Sequence, residues 1–282
     1  MNRRQFLRQA TVASVVLAAS PQLGGMASAQ SAQLSARRRQ AGYYWLTLGA
    51  VDIAALSDGT LISKAKLLND NEGIAKTLLK NAHAPAERIT SVNAFLVLAD
   101  DRRILVDAGT GTLLGPTLDK ISASLAGAGF KAEQITDIIL THIHADHSGG
   151  LTKNGKMVFP NATVHVNSVE AAFWLTASNM EKVGEYYKPM FVKARESLAP
   201  YLATGHIARF AAGQEIFPGI TSISAPGHTP GHTNYMLESQ GEKLLFWGDT
   251  VHVAEVQFAH PEISIEYDLD PDAAAVQRQQ IL

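Results

Sequence analysis

The sequence contains no cysteine. Disulfides, thiolate metal sites and a cysteine nucleophile are therefore excluded. Positive charge is not in excess: 24 lysines and arginines face 26 acidic residues, for a formal net charge of −2. With no block of like charge either, nucleic acid is not an expected partner. No apolar run is long enough to cross a bilayer core of about 30 Å as a helix. The stretch "TVASVVLAAS" is too short for that. The G-x-S-x-G turn that presents a serine nucleophile is missing, which leaves a Ser-His-Asp hydrolase without support. Short repeats and low-complexity tracts are absent as well.

What is present is a globular composition. The chain has 282 residues, 46% of them apolar and 18% charged, enough for one large domain with a substantial core. Residues 1–29 differ in texture. Arg3, Arg4 and Arg8 stand without an acid, a short apolar run follows, and "ASAQ" offers a small-x-small cleavage site after Ala29. This predicts a secretory signal. The paired arginines before Phe6 and Leu7 resemble a twin-arginine export signal, which implies a periplasmic or secreted protein, free of membrane once the signal is removed. Residues 30–41 read as a flexible lead-in.

From Gly42 onward the pattern is rich in strands. "YYWLTLGAVDIAALSDGT" predicts two short strands with turns at Gly49 and at Asp58-Gly59. "AFLVLADDRRILVDAG" predicts a hairpin turning at Asp100-Asp101. Pro116 is placed to open a helix through "TLDKISASLAGAG". "TDIILTHIHADH" predicts a buried strand running into a loop. "ATVHVN" predicts another strand, followed by a helix capped by Ser168. Residues 181–203 read as largely helical, Gly241 as a hairpin turn, and "DPDAAAVQRQQIL" as the opening of a helix. Strand pairs in both halves with helices between them predict an α/β domain of two packed sheets flanked by helices.

The chemistry concentrates in "THIHADHSGG", residues 141–150. Side chains two apart on an extended segment point the same way, so His142 and His144 form a chelating pair. Asp146 and His147 follow where the chain turns, with Gly149 and Gly150 read as permitting that turn. Neutral imidazoles suit a borderline cation such as zinc, and a carboxylate compensates its charge. Two cations sharing the loop fit this donor set better than one, with His142 and His144 on the first and Asp146 and His147 on the second. His83, His165, His206 and His260 stand apart and are assigned no common role.

This cluster, together with "LVDAG" upstream and "GHTPGH" and "WGD" downstream, resembles the metallo-β-lactamase superfamily. The stretches "GYYWLTLGAVDIAALSDGT", "FPNATVHVNSVEAAFWL" and "GHTPGHTNYMLESQGEKL" are similar to its methyl parathion hydrolase-like branch. The resemblance implies an αββα sandwich with a two-metal site along one edge. It implies that His142, His144 and His228 hold one cation, that Asp146 and His147 hold the second, and that Asp249 bridges them. His232 competes with His228 and is given a supporting role. Asp107 is the expected acceptor that orients a ligand histidine. Two divalent ions, with zinc first and manganese, iron or cobalt as alternatives, would share a water and lower its pKa from about 15.7 toward 7. That bridging hydroxide, held by Asp146 and Asp249, would attack a carbonyl or phosphoryl centre.

The sequence departs from the family in one respect. No histidine follows His260, so the last ligand the resemblance implies for the second cation is missing. The expectation is a domain over 42–282 lacking its C-terminal part, with weak occupancy of the second site. Trp174, Leu114 and Met190 are the expected substrate-pocket residues. Leu114 and Met190 stand where the branch carries aromatics, which weakens the case for an aryl phosphotriester and favours lactones and esters. The expected function is hydrolysis of apolar esters, lactones or organophosphate triesters. β-Lactam or thioester hydrolysis and a non-catalytic metal-binding remnant are the alternatives. A small molecule is the expected partner, with a homodimer as the default assembly.

Overall fold

Alternation along the strands sorts apolar side chains into two cores. Ala54, Leu56, Ala94, Leu96, Leu105 and Ile138 lie in one buried cluster, while Ile53, Val97, Ile104, Val106 and Ile139 lie in another. A period of two places neighbours on opposite faces, so one sheet feeds both cores. The structure is a computed structural model and describes residues 42–282 apart from Ala86. The expected export signal and lead-in lie outside the described residues.

The first sheet has seven strands: β1 (Tyr43–Leu48), β2 (Val51–Ser63), β3 (Arg88–Ala99), β4 (Arg102–Val106), β5 (Asp137–Ile139), β6 (Thr163–Asn167) and β7 (Ile207–Phe210). They lie side by side in chain order. β1 to β4 pair antiparallel, β1 with β2 and β3 with β4 through hairpins, and β4 to β7 pair parallel. The parallel half needs crossovers. These carry α2 (Ile121–Gly127), α4 (Ser168–Leu175) and α5 (Lys188–Thr204), which follow α1 (Ile74–Asn81) and flank the short α3 (Ala145–Ser148). The second sheet is antiparallel: β8 (Glu215–Phe217), β9 (Ile220–Ser224), β10 (Thr233–Ser239) and β11 (Glu242–Phe246). The chain then forms α6 (Ala254–Gln257) and α7 (Pro271–Ile281). No helix among the described residues is long and apolar enough to cross a membrane.

Phe217, Ile220, Tyr235, Leu237 and Phe246 of the second sheet close on the first-sheet face carrying Ile53, Val97 and Ile104. The opposite face packs Ala54, Leu56 and Leu105 against Leu125, Trp174, Phe191 and Leu198 of the helices. The result is the expected mixed α/β sandwich. Hairpins turn at Gly49, at Asp100-Asp101 and at Gln240-Gly241, as the sequence predicts.

Three local expectations are corrected. Asp58-Gly59 is no turn; β2 continues through it with a register shift between Ser57 and Gly59. The bulge turns the Asp58 carboxylate inward, where it accepts from the backbone N–H groups of Thr110 (2.8 Å), Lys120 (2.7 Å) and Ile121 (3.0 Å). Those bonds also displace the start of α2 from Pro116 to Ile121, because Asp58 satisfies donors that the local sequence leaves bare. The cap of α4 is Asn167, whose side chain accepts from Val169 N at 2.9 Å; Ser168 is the first helical residue. Residues 181–203 are largely helical as expected, the α-helix starting at Lys188 with Pro189 in its first turn.

Candidate metal centre

β4, β5 and β6 are parallel, and their C-terminal ends open onto one edge of the sandwich, where loops bring reactive side chains together. Asp107 ends β4. Thr141 to His147 follow β5. The second sheet is tied to the same edge: Tyr235 Oη donates to Leu140 O (2.7 Å) and Thr233 N to Thr141 O (2.9 Å). The loop before β10 supplies His228 and His232, and the turn after β11 supplies Asp249.

Gly149 and Gly150 do not serve the turn as expected. Both have negative φ. Their role is close approach, since a Cβ at Gly149 would stand 2.2 Å from Thr110 O and one at Gly150 would stand 2.0 Å from Ala108 O. The missing side chains let the loop after His147 lie directly on the strand end carrying Asp107.

Asp249 is the hub. Its Oδ1 lies 3.1 Å from His147 Nε2, and its Oδ2 lies 3.3 Å from His228 Nε2 and 3.9 Å from His142 Nε2. His144 Nδ1 is 3.0 Å from His228 Nε2. Asp146 Oδ2 stands 3.6 Å from His147 Nε2. One ligand atom from each of His142, His144 and His228 fits within 4.8 Å of the others, and the same holds for His142, His147 and Asp249. The structure thus brings all six expected donors to one place.

Carboxylates outside the hub set the rings. Asp107 Oδ2 accepts from His147 Nδ1 at 2.8 Å, which turns Nε2 toward Asp249. Asp107 is itself held by Thr141, through N to Oδ1 (2.8 Å) and Oγ1 to Oδ2 (2.9 Å). Asp268 Oδ1 does the same for His228 at Nδ1, 3.0 Å away. His232 is turned elsewhere: its Nε2 accepts from the backbone N–H of Asp249 at 3.0 Å. His228 therefore turns its Nε2 into the cluster, toward His144 and Asp249, and His232 supports the Asp249 turn.

Burial and charge separate the histidines. Burial, with neighbouring His147, His144 and His228, holds His142 well below the usual imidazole range. Burial and His228 do the same to His144. Burial also presses on His147, but Asp249, Asp107 and Asp146 outweigh it and raise it well above that range. At His228 burial is likewise overcome, by Asp249 and Asp268, and the pKa rises to about 9. Burial lowers His232 to about 3. Desolvation works against the charge of Asp249, yet His147 and His252 hold its carboxyl well below the ordinary value.

A cavity of about 870 Å³ opens over the cluster. Leu114 and Met190 line it as expected, with Trp247 and Tyr267 opposite. Trp174 is corrected: it has no exposed surface and does not line the cavity. Its indole meets His144 edge-on at 5.2 Å and Phe191 at a tilt at 4.6 Å, so the site's floor covers it.

Sequence reasoning missed His252, Asp268 and Glu170. His252 Nε2 lies 3.1 Å from Asp249 Oδ2. It follows Asp249 by three residues, a spacing that the WGD motif could have flagged. Asp268 and Glu170 sit in no motif and reach the site only through the fold. His165, His206 and His260 stay outside the cluster, bonded to Asp137, Thr204 and Glu262.

Residues 88–282 match the family profile described as the metallo-beta-lactamase superfamily. The chain belongs to the metallo-beta-lactamase superfamily. Among solved superfamily structures it is similar to the hydrolase AbOPH, at 37% identity and a TM-score of 0.81, over 86% of each chain. It is also similar to AidC, a dizinc quorum-quenching lactonase, at 28% identity and a TM-score of 0.77, over 85% of each chain. An N-acyl homoserine lactonase of Bacillus cereus is 28% identical over 45% of this chain and 42% of its own length. An acyl-coenzyme A thioesterase of Gallus gallus is 30% identical over 57% of each. The chain therefore matches only about half the length of these two relatives.

Proposed function

We propose that this superfamily member is a metal-dependent hydrolase of apolar carboxylic esters and lactones, with phosphotriesters as a further substrate class, in the manner of the methyl parathion hydrolase-like branch. The observation that carries this is the Asp249 carboxylate set between His147 on one oxygen and His228 and His142 on the other, under an apolar cavity.

The residues fit divalent cations. His142 Nε2 is buried and has no hydrogen-bond partner, which would cost about 1–3 kcal/mol unless a ligand used it. Imidazole nitrogens and carboxylate oxygens form the mixed donor set that suits zinc, manganese, iron or cobalt. In this reading His142, His144 and His228 hold one cation, Asp146 and His147 hold the second, and Asp249 serves both. When bound, such ions lower the pKa of water and polarise a carbonyl or phosphoryl oxygen.

The chain's own groups supply the rest. Asp107 and Asp268 keep one proton on Nδ1 of His147 and His228 and so aim each Nε2 at the centre. His252 braces Asp249 through its Nε2, 3.1 Å from Oδ2. Leu114, Met190 and Trp247 offer apolar surface to an acyl or alkyl chain. The lactonase AidC and the B. cereus lactonase support this substrate class.

The test is a substrate panel on protein loaded in turn with zinc, manganese and cobalt. It comprises an acyl-homoserine lactone, a nitrophenyl ester and a paraoxon-type phosphotriester, with nitrocefin and a glutathione thioester as outgroups. The expected result is turnover of the lactone or the ester, abolished by chelator and restored by metal. Turnover of the outgroups alone would reassign the substrate, and no turnover of any of the five would overturn the hydrolase reading. We further propose export through the twin-arginine route, supported by Arg3, Arg4 and the small-residue site at Ala29. Fractionation of expressing cells tests this: the expected product is a shortened periplasmic protein.

A further inference from the structure

Glu170 lies on α4 with 1% of its surface exposed. A carboxylate so deep is costly unless every lone pair is used. Here four donors converge on it. Oε1 accepts from the backbone N–H of Ile143 (2.9 Å) and the indole N–H of Trp174 (2.7 Å). Oε2 accepts from the hydroxyl of Thr229 (2.7 Å) and the backbone N–H of Gly231 (2.9 Å). None of the four is a cationic side chain.

The donors come from the two loops that meet at the cluster. Ile143 separates His142 from His144. Thr229 and Gly231 follow His228 and precede His232. These loops are far apart in sequence, and their ligating nitrogens approach to 3.0 Å between His144 and His228. One oxygen of Glu170 serves the first loop and the other serves the second. The second loop also lies against α4 itself, since a Cβ at Gly231 would stand 2.2 Å from Glu170 N. The Trp174 bond adds a third tie, because that indole packs against the His144 ring.

We propose that Glu170 is a positioning residue that fixes the spacing of His142 and His144 relative to His228, and so sets the cation affinity of that histidine trio. This rests on the metal reading given above. A clamp of this kind acts before any cation arrives: it holds one ring nitrogen of each histidine within 4.8 Å of the others, so binding need not order the loops.

The test is cobalt titration of the full chain against a chelator of known affinity, with the visible spectrum of the cobalt-loaded protein as a second readout. Glu170→Gln keeps the size of the side chain but can accept at only one end, so one loop loses its anchor. The expected result is a cobalt dissociation constant raised about 10–100-fold, with altered cobalt bands. Thr229→Val removes a single bond from the second loop and is expected to raise it several-fold. Leu125→Ala, in the sheet–helix core, serves as the control: it lowers Tm without changing cobalt affinity or spectrum. Glu170→Gln with unchanged cobalt affinity and spectrum overturns the proposal, whatever its Tm. If Glu170→Gln does not fold, Thr229→Val decides: unchanged affinity overturns the clamp and a several-fold loss supports it. If the unsubstituted chain binds no cobalt, the metal reading itself fails, and the clamp proposal fails with it.

Discussion

Asp107 and His147 meet at 2.8 Å beyond the end of β4, with the aspartate accepting a hydrogen bond from the ring at Nδ1. Asp107 also holds a positive φ of 60°, a conformation few side chains accept, and it is gripped by Thr141. Asparagine tolerates that backbone and keeps the size, but its neutral amide is a weaker acceptor. Asp107→Asn is therefore expected to fold and to lose about 10–100-fold in cation affinity or ester turnover. Cobalt titration with a parallel rate assay measures both. Unchanged values in both would remove Asp107 from the site's machinery.

The two histidines of "GHTPGH" should separate cleanly. His228 turns its Nε2 toward Asp249 and His144, whereas His232 spends its Nε2 on the Asp249 backbone. His228→Ala is expected to abolish tight binding at the first site. His232→Ala leaves a buried N–H without its partner, at a cost of about 1–3 kcal/mol, and is expected to show as a lower Tm with a smaller effect on affinity. Zinc competition titrations and thermal melts on both variants check this. Equal losses of affinity would contradict the assignment.

Much of this site is legible in the sequence because its donors are local. His142, His144, Asp146 and His147 sit within six residues after an apolar strand, and Asp249 and His228 stand in short recognisable steps. The hairpins at Gly49, Asp100 and Gly241 are legible for the same reason, since turn chemistry is local. What is not legible is what acts at long range. Asp58 reads as a turn residue because the donors it serves, at Thr110, Lys120 and Ile121, come some fifty residues later or more. Asp268 and Glu170 are ordinary acids until the fold delivers His228 and the two loops to them. Trp174 was misplaced because an aromatic close in sequence to a site can lie behind it as easily as before it.

The cavity walls make a further test. Trp174→Phe keeps the packing against His144 and Phe191 but loses the indole bond to Glu170. It is expected to leave KM for an ester or lactone near the unsubstituted value. Met190→Ala and Leu114→Ala remove apolar lining. Each is expected to raise KM by roughly 5- to 30-fold, in line with about 1–2 kcal/mol of lost apolar contact. A KM effect confined to Trp174 would place that residue back in the substrate's path.

Away from the site, Asp137 accepts from Arg102 Nη1 at 2.8 Å and pairs with His165 Nε2 at 2.9 Å. Burial works against its charge, but His165, Arg102 and Thr136 overcome it, and the carboxyl titrates below its ordinary 3.8. A folded pKa below the unfolded one means that the carboxylate's contribution is complete above about pH 4 and is lost as pH falls through the folded value. Asp137→Asn is therefore expected to be less stable than the unsubstituted chain at pH 7, by about 1–3 kcal/mol. That gap is expected to narrow below pH 4. Denaturant melts between pH 7 and pH 3 measure it. A gap of constant size over that range would contradict the account.

The central claim is that His142, His144 and His228, with Asp249 beside them, form a cation site. It is tested most directly by elemental metal analysis of the purified chain after zinc loading and dialysis, alongside His142→Ala. The account expects at least one zinc retained per unsubstituted chain and that zinc lost in the variant. A chain that emerges metal-free after exposure to zinc, manganese and cobalt in turn, or a variant that retains zinc as the unsubstituted chain does, would contradict it.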